Sequence, residues 1–224
     1  MSVDANTPDT NLQIPDKSIL YQIANSAYAE NFDGGIDGFT LLKQSPTLKI
    51  FKKIDYPVIV LGSRGTADFN DFLAWLPVVL NTIRDTDRYK MDTNNLLNFQ
   101  KDYVPSLFYY YGTGHSIAGP ILDEWLKAGL ILKARTYNPA IQEKDLSNTS
   151  VNNDRIYSDL DPLYSMFGKR ARKTPEVRKS TRPFGMRELG RFSFSPFYWF
   201  GKDILREHSI ANDVFKGGVR RQEM

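Results

Sequence analysis

The chain has 224 residues, of which 41% are hydrophobic and 13% aromatic, and its formal net charge is +3. A chain of this length and composition can bury a full core in one domain, which excludes an intrinsically disordered protein. It contains no cysteine, so disulfide bonds and thiolate metal sites are excluded and a reducing compartment is favoured.

The N-terminal end, residues 1–15, is polar and predicts a flexible arm ahead of a single domain over residues 16–224. It lacks the basic start and apolar core of a secretory signal, and no apolar run approaches the roughly 20 residues of a membrane span. We therefore expect a protein of the cytoplasm or of another reducing compartment.

A helix and two strands are predicted next. Asp16 or Ser18 can cap a helix that presents one apolar face to a sheet. That face consists of Leu20, Ile23, Ala24, Ala27 and Tyr28. Residues 48–51 and 56–62 predict the two strands, and the second is continuously apolar, which is typical of a central strand covered on both faces.

The central strand runs into Arg64, Gly65 and Thr66, and a stripe of apolar residues at helical spacing follows over residues 72–83. The stripe predicts a helix packed against the core. Two interpretations of Arg64 remain open, because its side chain can brace the loop through hydrogen bonds or can simply carry a solvated charge.

The segment after the next predicted strand, 108–111, reads GTGHSIAG over residues 112–119. Apolar residues then recur at helical spacing up to Ala128 and Gly129. A serine on a tight turn between a strand and a helix, with small residues on both sides, is the pattern of a nucleophile elbow. We interpret Ser116 as a nucleophile; the same residues also fit an ordinary turn between a strand and a helix.

The C-terminal half predicts two further strands with polar ends. Residues 130–136 predict the first, which ends in the turn YNPA at 137–140, and a polar loop follows at 141–153. The second begins at Arg155 and ends in Asp159 and Asp161, the latter directly before Pro162. An acidic side chain therefore stands at the end of a strand, after the serine in chain order.

Four of these segments resemble the class three lipase family, the fungal-lipase-like α/β-hydrolases. They are the Arg-Gly-Thr loop, the serine turn, the Asn-Pro turn and the acid before a proline, and the resemblance covers roughly residues 40–215. It implies the α/β class, an α/β-hydrolase-type sandwich in which a central, mostly parallel sheet is flanked by helices. It also implies that residues 67–76 could form a short lid.

The resemblance further implies the roles of four site residues. Ser116 would be the nucleophile and Asp161 the triad acid, with Asp159 as the alternative acid two residues earlier. Thr66 occupies the oxyanion-hole position, and the backbone N–H of Ile117 would be the second donor. One departure concerns the turn, where the family has two glycines and this chain has an alanine at position 118.

The base is predicted from the order of a hydrolase triad, which is serine, acid, histidine in α/β-hydrolases. The chain has two histidines. His115 adjoins Ser116, and because side chains of adjacent residues in such a turn point in different directions, it is expected to pack behind the turn. His208 is therefore the predicted base.

The predicted function is a serine hydrolase that cleaves carboxylic esters of lipids through an acyl-enzyme, as a triacylglycerol lipase or a phospholipase, with no metal or organic cofactor. The alternative is a catalytically inactive lipase-like protein with a structural or interaction role. The short chain, the alanine at position 118 and the basic residues of segment 169–191 favour that alternative. The compact chain without cysteine also resembles lipase-like proteins of large DNA viruses, so a virus particle is a further expected location.

A basic segment lies between the predicted acid and the predicted base. Residues 169–191 carry nine basic and two acidic side chains, and an aromatic run follows at 192–200. Basic and aromatic residues suit an anionic surface or a membrane interface, so residues 169–200 are a candidate contact region. A solvated loop that leads into a buried strand explains the same residues, and no specific nucleic-acid motif is present.

Overall fold

The computed structural model describes residues 15–66, 82–179 and 208–210, and one eight-stranded sheet organises them. The strands lie in the sheet in chain order. They are β1 (Gly35–Ile36), β2 (Phe39–Gln44), β3 (Leu48–Lys53), β4 (Val58–Ser63), β5 (Tyr109–His115), β6 (Lys133–Tyr137), β7 (Asn153–Ser158) and β8 (Glu176–Arg178). Neighbours from β1 to β4 pair antiparallel, and neighbours from β4 to β8 pair parallel.

Helices cover both faces of this sheet. They are α1 (Lys17–Ser26), α2 (Asp87–Asp102) and α3 (Ala118–Lys127). Alternate residues of β4 separate the two layers: Val58 and Val60 belong to the apolar cluster that contains residues of α1, whereas Ile59 and Leu61 belong to the cluster that contains residues of α2 and α3. This arrangement explains the continuous burial of β4, since both of its faces are covered. The predicted α/β class, with a mostly parallel sheet flanked by helices, is confirmed.

Helix α1 begins where its capping residue predicts. The side chain of Asp16 accepts a hydrogen bond of 2.7 Å from the backbone N–H of Ser18, so Asp16 is the N-cap. The helix ends at Ser26, so Ala27 and Tyr28 lie beyond it. The prediction that both belong to the helix face is wrong, because the chain turns after Ser26, where the N–H of Tyr28 bonds to the Asn25 carbonyl at 3.1 Å.

The strand predicted at residues 130–136 begins three residues later, at Lys133. The reason is the end of α3: Gly129 has a φ of +68°, and the N–H of Leu130 bonds to the carbonyl of Trp125 at 2.9 Å. The first residues of the predicted strand therefore complete a helix cap before the chain enters β6.

Several predicted features lie outside the described residues. They are the arm up to residue 14, the lid at 67–76, most of the apolar stripe at 72–83, and the second part of the basic and aromatic segment, 180–200. Pro15, the last residue of the predicted arm, is buried. Of the helices described, none combines the length and apolar character that crossing a bilayer requires.

Candidate active site

The predicted site residues meet at the carboxyl ends of the parallel strands. Ser63 of β4 lies opposite Gly114 of β5, and His115 lies opposite Tyr137 of β6. Thr66 follows β4 within three residues and Ser116 directly follows β5, so both lie at the same edge of the sheet. Open α/β sheets bind ligands at this edge.

Ser116 occupies the turn between β5 and α3 with an unusual backbone conformation. Its φ is +59°, a left-handed value that a non-glycine residue adopts only under constraint. Three hydrogen bonds supply that constraint. The N–H of Ser116 bonds to the Tyr137 carbonyl at 3.1 Å, and its carbonyl accepts from the N–H groups of Gly119 at 3.0 Å and Ala140 at 3.1 Å.

The small residues around Ser116 are required by close approach of the backbone. A Cβ at Gly114 would lie 2.6 Å from the Cβ of Ala118, and one at Gly119 would lie 2.5 Å from the Cβ of Pro139. Ala118 opens α3 and is fully buried, so its methyl group is accommodated by the glycine at position 114. The alanine that departs from the family pattern therefore fits this turn.

A continuous hydrogen-bonded chain joins the predicted nucleophile, base and acid. Nε2 of His208 lies 2.9 Å from Oγ of Ser116, and Nδ1 of the same ring lies 2.8 Å from Oδ2 of Asp161. These distances allow a proton to pass from the serine hydroxyl to the imidazole, while the carboxylate fixes the ring. The structure thus brings together three residues that lie 45 and 47 positions apart along the chain.

Asp161 is completely buried, and its second oxygen accepts a 2.7 Å bond from the N–H of Leu163. Burial raises the pKa of this carboxyl above its ordinary value, while the bond to His208 opposes the rise. The alternative acid, Asp159, is partly exposed. Because β7 ends at Ser158, both acids lie beyond the strand, and the prediction that the strand ends in Asp159 and Asp161 is wrong.

Two residues, Asn138 and His115, bond to the backbone carbonyl of His208. Asn138, with a φ of +42°, accepts from the N–H of Ser158 at 2.9 Å and donates to the His208 carbonyl at 3.4 Å. Nε2 of His115 donates to the same carbonyl. The Asn-Pro sequence indicated a turn beside the site but gave no sign of its partner.

His115 lies behind the serine turn, as predicted, and is 4% exposed. Burial holds its pKa well below the ordinary value for histidine, and the neighbouring His208 lowers it further. The ring is therefore neutral. Within the described residues its two nitrogens bond to the Tyr28 hydroxyl and the His208 carbonyl, and not to Ser116.

The two oxyanion-hole candidates offer backbone N–H groups at this edge. No described residue accepts a hydrogen bond from the N–H of Thr66 or of Ile117. The N–H of Gly65, between Arg64 and Thr66, instead bonds to the Tyr28 hydroxyl at 2.9 Å. The loop thus fixes the amide that directly precedes that of Thr66.

Arg88 of α2 braces the loop that carries Thr66, and the sequence gave no sign of this role. Its guanidinium donates to the carbonyls of Arg64 and Gly65, the latter at 3.4 Å, and its Nε bonds to Asp92 at 3.4 Å. The side chain of Arg64 instead reaches the Pro46 carbonyl at 3.4 Å. Of the two interpretations of Arg64, the structure favours the hydrogen-bonding one, but the side chain braces the turn before β3 and not its own loop.

The described part of the basic segment, residues 169–179, forms internal contacts. Arg170 pairs with Glu143, Arg178 pairs with Glu176 at 2.8 Å, and Lys173 donates to the Val151 carbonyl at 3.0 Å. The first and third contacts join this segment to the loop between β6 and β7, and the second lies within β8. A role in binding an anionic surface stays a prediction.

Comparison with known proteins identifies the fold. No protein-family model matches the chain, and no curated protein matches it in sequence. Among solved structures, it is similar to Lip2 lipase from Yarrowia lipolytica, at 14% identity over 74% of this chain and 78% of Lip2, with a TM-score of 0.50. Rhizomucor miehei lipase in complex with its propeptide gives 15% identity over 74% of this chain and 68% of the lipase, with a TM-score of 0.48. The likeness to Lip2 shows that this chain has a lipase-like α/β-hydrolase fold.

Proposed function

We propose that the protein is a serine hydrolase that cleaves carboxylic esters of lipids through an acyl-enzyme. The observation that carries the proposal is the hydrogen-bonded chain from Ser116 through His208 to Asp161 at the carboxyl edge of the sheet. A strained serine, a buried imidazole and a buried carboxylate in this order are what acyl transfer requires.

The reaction follows from the positions of these groups. Nε2 of His208 takes the proton of Ser116 as Oγ attacks the ester carbonyl, and the imidazolium forms beside Asp161. The N–H groups of Thr66 and Ile117, together with the Thr66 hydroxyl, stabilise the oxyanion. His208 then returns the proton to the leaving alcohol, and a water molecule activated by the same ring releases the acid and restores Ser116.

The lipid character of the substrate is supported by the likeness to Lip2, which is a lipase. The proposed ester is that of a triacylglycerol or of a phospholipid. We keep the predicted location, a reducing compartment or a virus particle, and the predicted contact of residues 169–200 with an anionic surface as parts of the proposal. No step requires a metal or an organic cofactor.

Labelling with a fluorophosphonate probe tests the proposal, because the probe reacts with an activated serine whatever the acyl chain. The wild-type protein is expected to be labelled once per chain, and Ser116→Ala is expected to remain unlabelled. Hydrolysis of p-nitrophenyl esters should fall at least about 10⁴-fold in the same variant. A folded wild-type protein that neither labels nor hydrolyses any ester or phospholipid would support the inactive structural or interaction protein instead.

A further inference from the structure

Three hydrogen bonds link the loop that carries Thr66 to the backbone of the predicted base. The N–H of Gly65 donates to the hydroxyl oxygen of Tyr28 at 2.9 Å. That hydroxyl lies 2.7 Å from Nδ1 of His115, and Nε2 of His115 bonds to the carbonyl of His208. We call this set of hydrogen bonds from Gly65 to the His208 carbonyl the relay. Its residues belong to four separate segments of the chain, and none of its bonds involves the Ser116 hydroxyl.

The directions of these bonds follow from what each group can donate. A carbonyl can only accept, so the proton of His115 is on Nε2, and Nδ1 is the acceptor. Tyr28 therefore donates its hydroxyl proton to Nδ1 and uses its oxygen to accept from Gly65. Burial raises the pKa of Tyr28 and lowers that of His115, so the hydroxyl keeps its proton and the ring stays neutral.

We propose that Tyr28 and His115 are positioning residues that hold His208 and the oxyanion loop in one fixed arrangement, with His115 acting as the neutral Nε2–H tautomer. The catalytic consequence rests on the proposed function. Tyr28 fixes the amide next to Thr66, and His115 fixes the carbonyl of the base. A displacement of either group by about 1 Å can cost up to 10²-fold in rate.

The relay can be observed without any activity. The chain has only two histidines, so a ¹⁵N imidazole spectrum contains two side chains, which single substitutions assign. At pH 7 the wild-type spectrum should show His115 as the fixed Nε2–H tautomer. Tyr28→Phe should remove the donor to Nδ1, change the His115 signals and shift those of His208. Tyr110→Phe is the matched control, because Tyr110 is a buried tyrosine outside the relay whose hydroxyl donates to the Tyr103 carbonyl.

Kinetics with paired variants then separate positioning from packing. His115→Gln keeps an N–H donor near the place of Nε2, whereas His115→Leu fills similar volume without a donor. We expect kcat within about 3-fold of wild type for His115→Gln, and a fall of about 10- to 100-fold for His115→Leu and Tyr28→Phe, with KM nearly unchanged. Tyr110→Phe should leave kcat unchanged, and thermal melting establishes that each variant is folded.

Each result decides for or against the relay. A labelled wild type in which His115→Gln and His115→Leu have equal rates overturns it, as does a His115 ring that is charged or carries its proton on Nδ1. If the wild type is not labelled, the proposed function fails and the spectrum decides: shifts of the His208 signals in Tyr28→Phe but not in Tyr110→Phe support the relay, and unchanged signals overturn it. If His115→Leu does not fold, the Tyr28→Phe spectrum gives the answer.

Discussion

Two buried carboxylates in this protein lie in opposite electrostatic surroundings. Glu124 of α3 and Asp161 after β7 are both completely inaccessible to solvent. Although burial by itself would raise the pKa of Glu124, bonds from Lys127 and Gln142 and the pairing with Arg84 lower it to about 2. Asp161 has a histidine and a backbone N–H as partners, and its pKa is raised.

The difference separates a carboxylate that stabilises the fold from one that is suited to chemistry. Glu124 is surrounded by cations, so its charge is favourable when the protein is folded. Asp161 is ionised at a cost, and the cost is recovered only when a positive imidazolium forms beside it. The partners of Asp161, at the end of a strand, do not offset the effect of burial on its pKa, whereas the partners of Glu124 in α3 do.

The largest expected effect is on the rate and comes from Asp161→Asn. The substitution keeps the size of the side chain but removes the charge that stabilises the imidazolium, so ester hydrolysis should fall by about 10⁴-fold. Asp159→Asn is the matched control and should have a mild effect, because Asp159 is partly exposed. Initial rates on a p-nitrophenyl ester measure both. Inactivation by Asp159→Asn with an active Asp161→Asn would show that the acid is two residues earlier.

A smaller loss of rate is expected from Thr66→Val. This variant distinguishes the contribution of the Thr66 hydroxyl from that of its backbone N–H at the same edge of the sheet as Asp161. The variant deletes the hydroxyl and keeps the N–H, so kcat should fall by at most about 10²- to 10³-fold. The rate of fluorophosphonate labelling should fall in parallel, because the probe also develops charge on an oxygen. A loss as large as that of Ser116→Ala would mean that the hydroxyl is essential.

Glu124→Gln should show the reverse pattern, a stability change without a rate change. Lys127, Lys144 and Arg84 would lose their shared carboxylate, and the free energy of unfolding should fall by about 1–3 kcal/mol. Urea denaturation at pH 7 measures the change, and kcat should stay close to wild type. A fall in kcat at full stability would connect this region to the site.

The pH dependence of stability should have opposite signs at the two carboxylates. Glu124 has a folded pKa of about 2 against an ordinary value of 4.5, so its stabilisation is present above pH 4.5 and is lost as the pH falls toward 2. Asp161 has a raised folded pKa, so its favourable contribution exists at low pH and is lost as the pH rises through that pKa.

Unfolding free energies measured from pH 3 to pH 7 test this contrast. The deficit of Glu124→Gln relative to wild type should shrink on acidification. Asp161→Asn should be at least as stable as wild type at pH 7, since the amide removes a buried charge, and this advantage should disappear in acid. A destabilised Asp161→Asn at pH 7 would show that the carboxylate is compensated after all.

The sequence by itself determined the features that depend on local pattern. The apolar run of β4, the small residues around Ser116 and the helical spacing up to Gly129 are governed by periodicity and by backbone conformation, which act over a few residues. The choice of His208 as the candidate base also followed from the sequence, because the chain has one other histidine and it adjoins Ser116.

Only the tertiary structure decided the contacts between distant segments. Asp161 rather than Asp159 meets His208 because β7 ends at Ser158 and the chain then turns, which strand alternation cannot predict. Arg88 contacts a loop 23 and 24 residues before it, and Tyr28 contacts a histidine 87 residues after it. Such bonds leave no periodic trace in the sequence, because they depend on where whole strands and helices place the ends of single side chains.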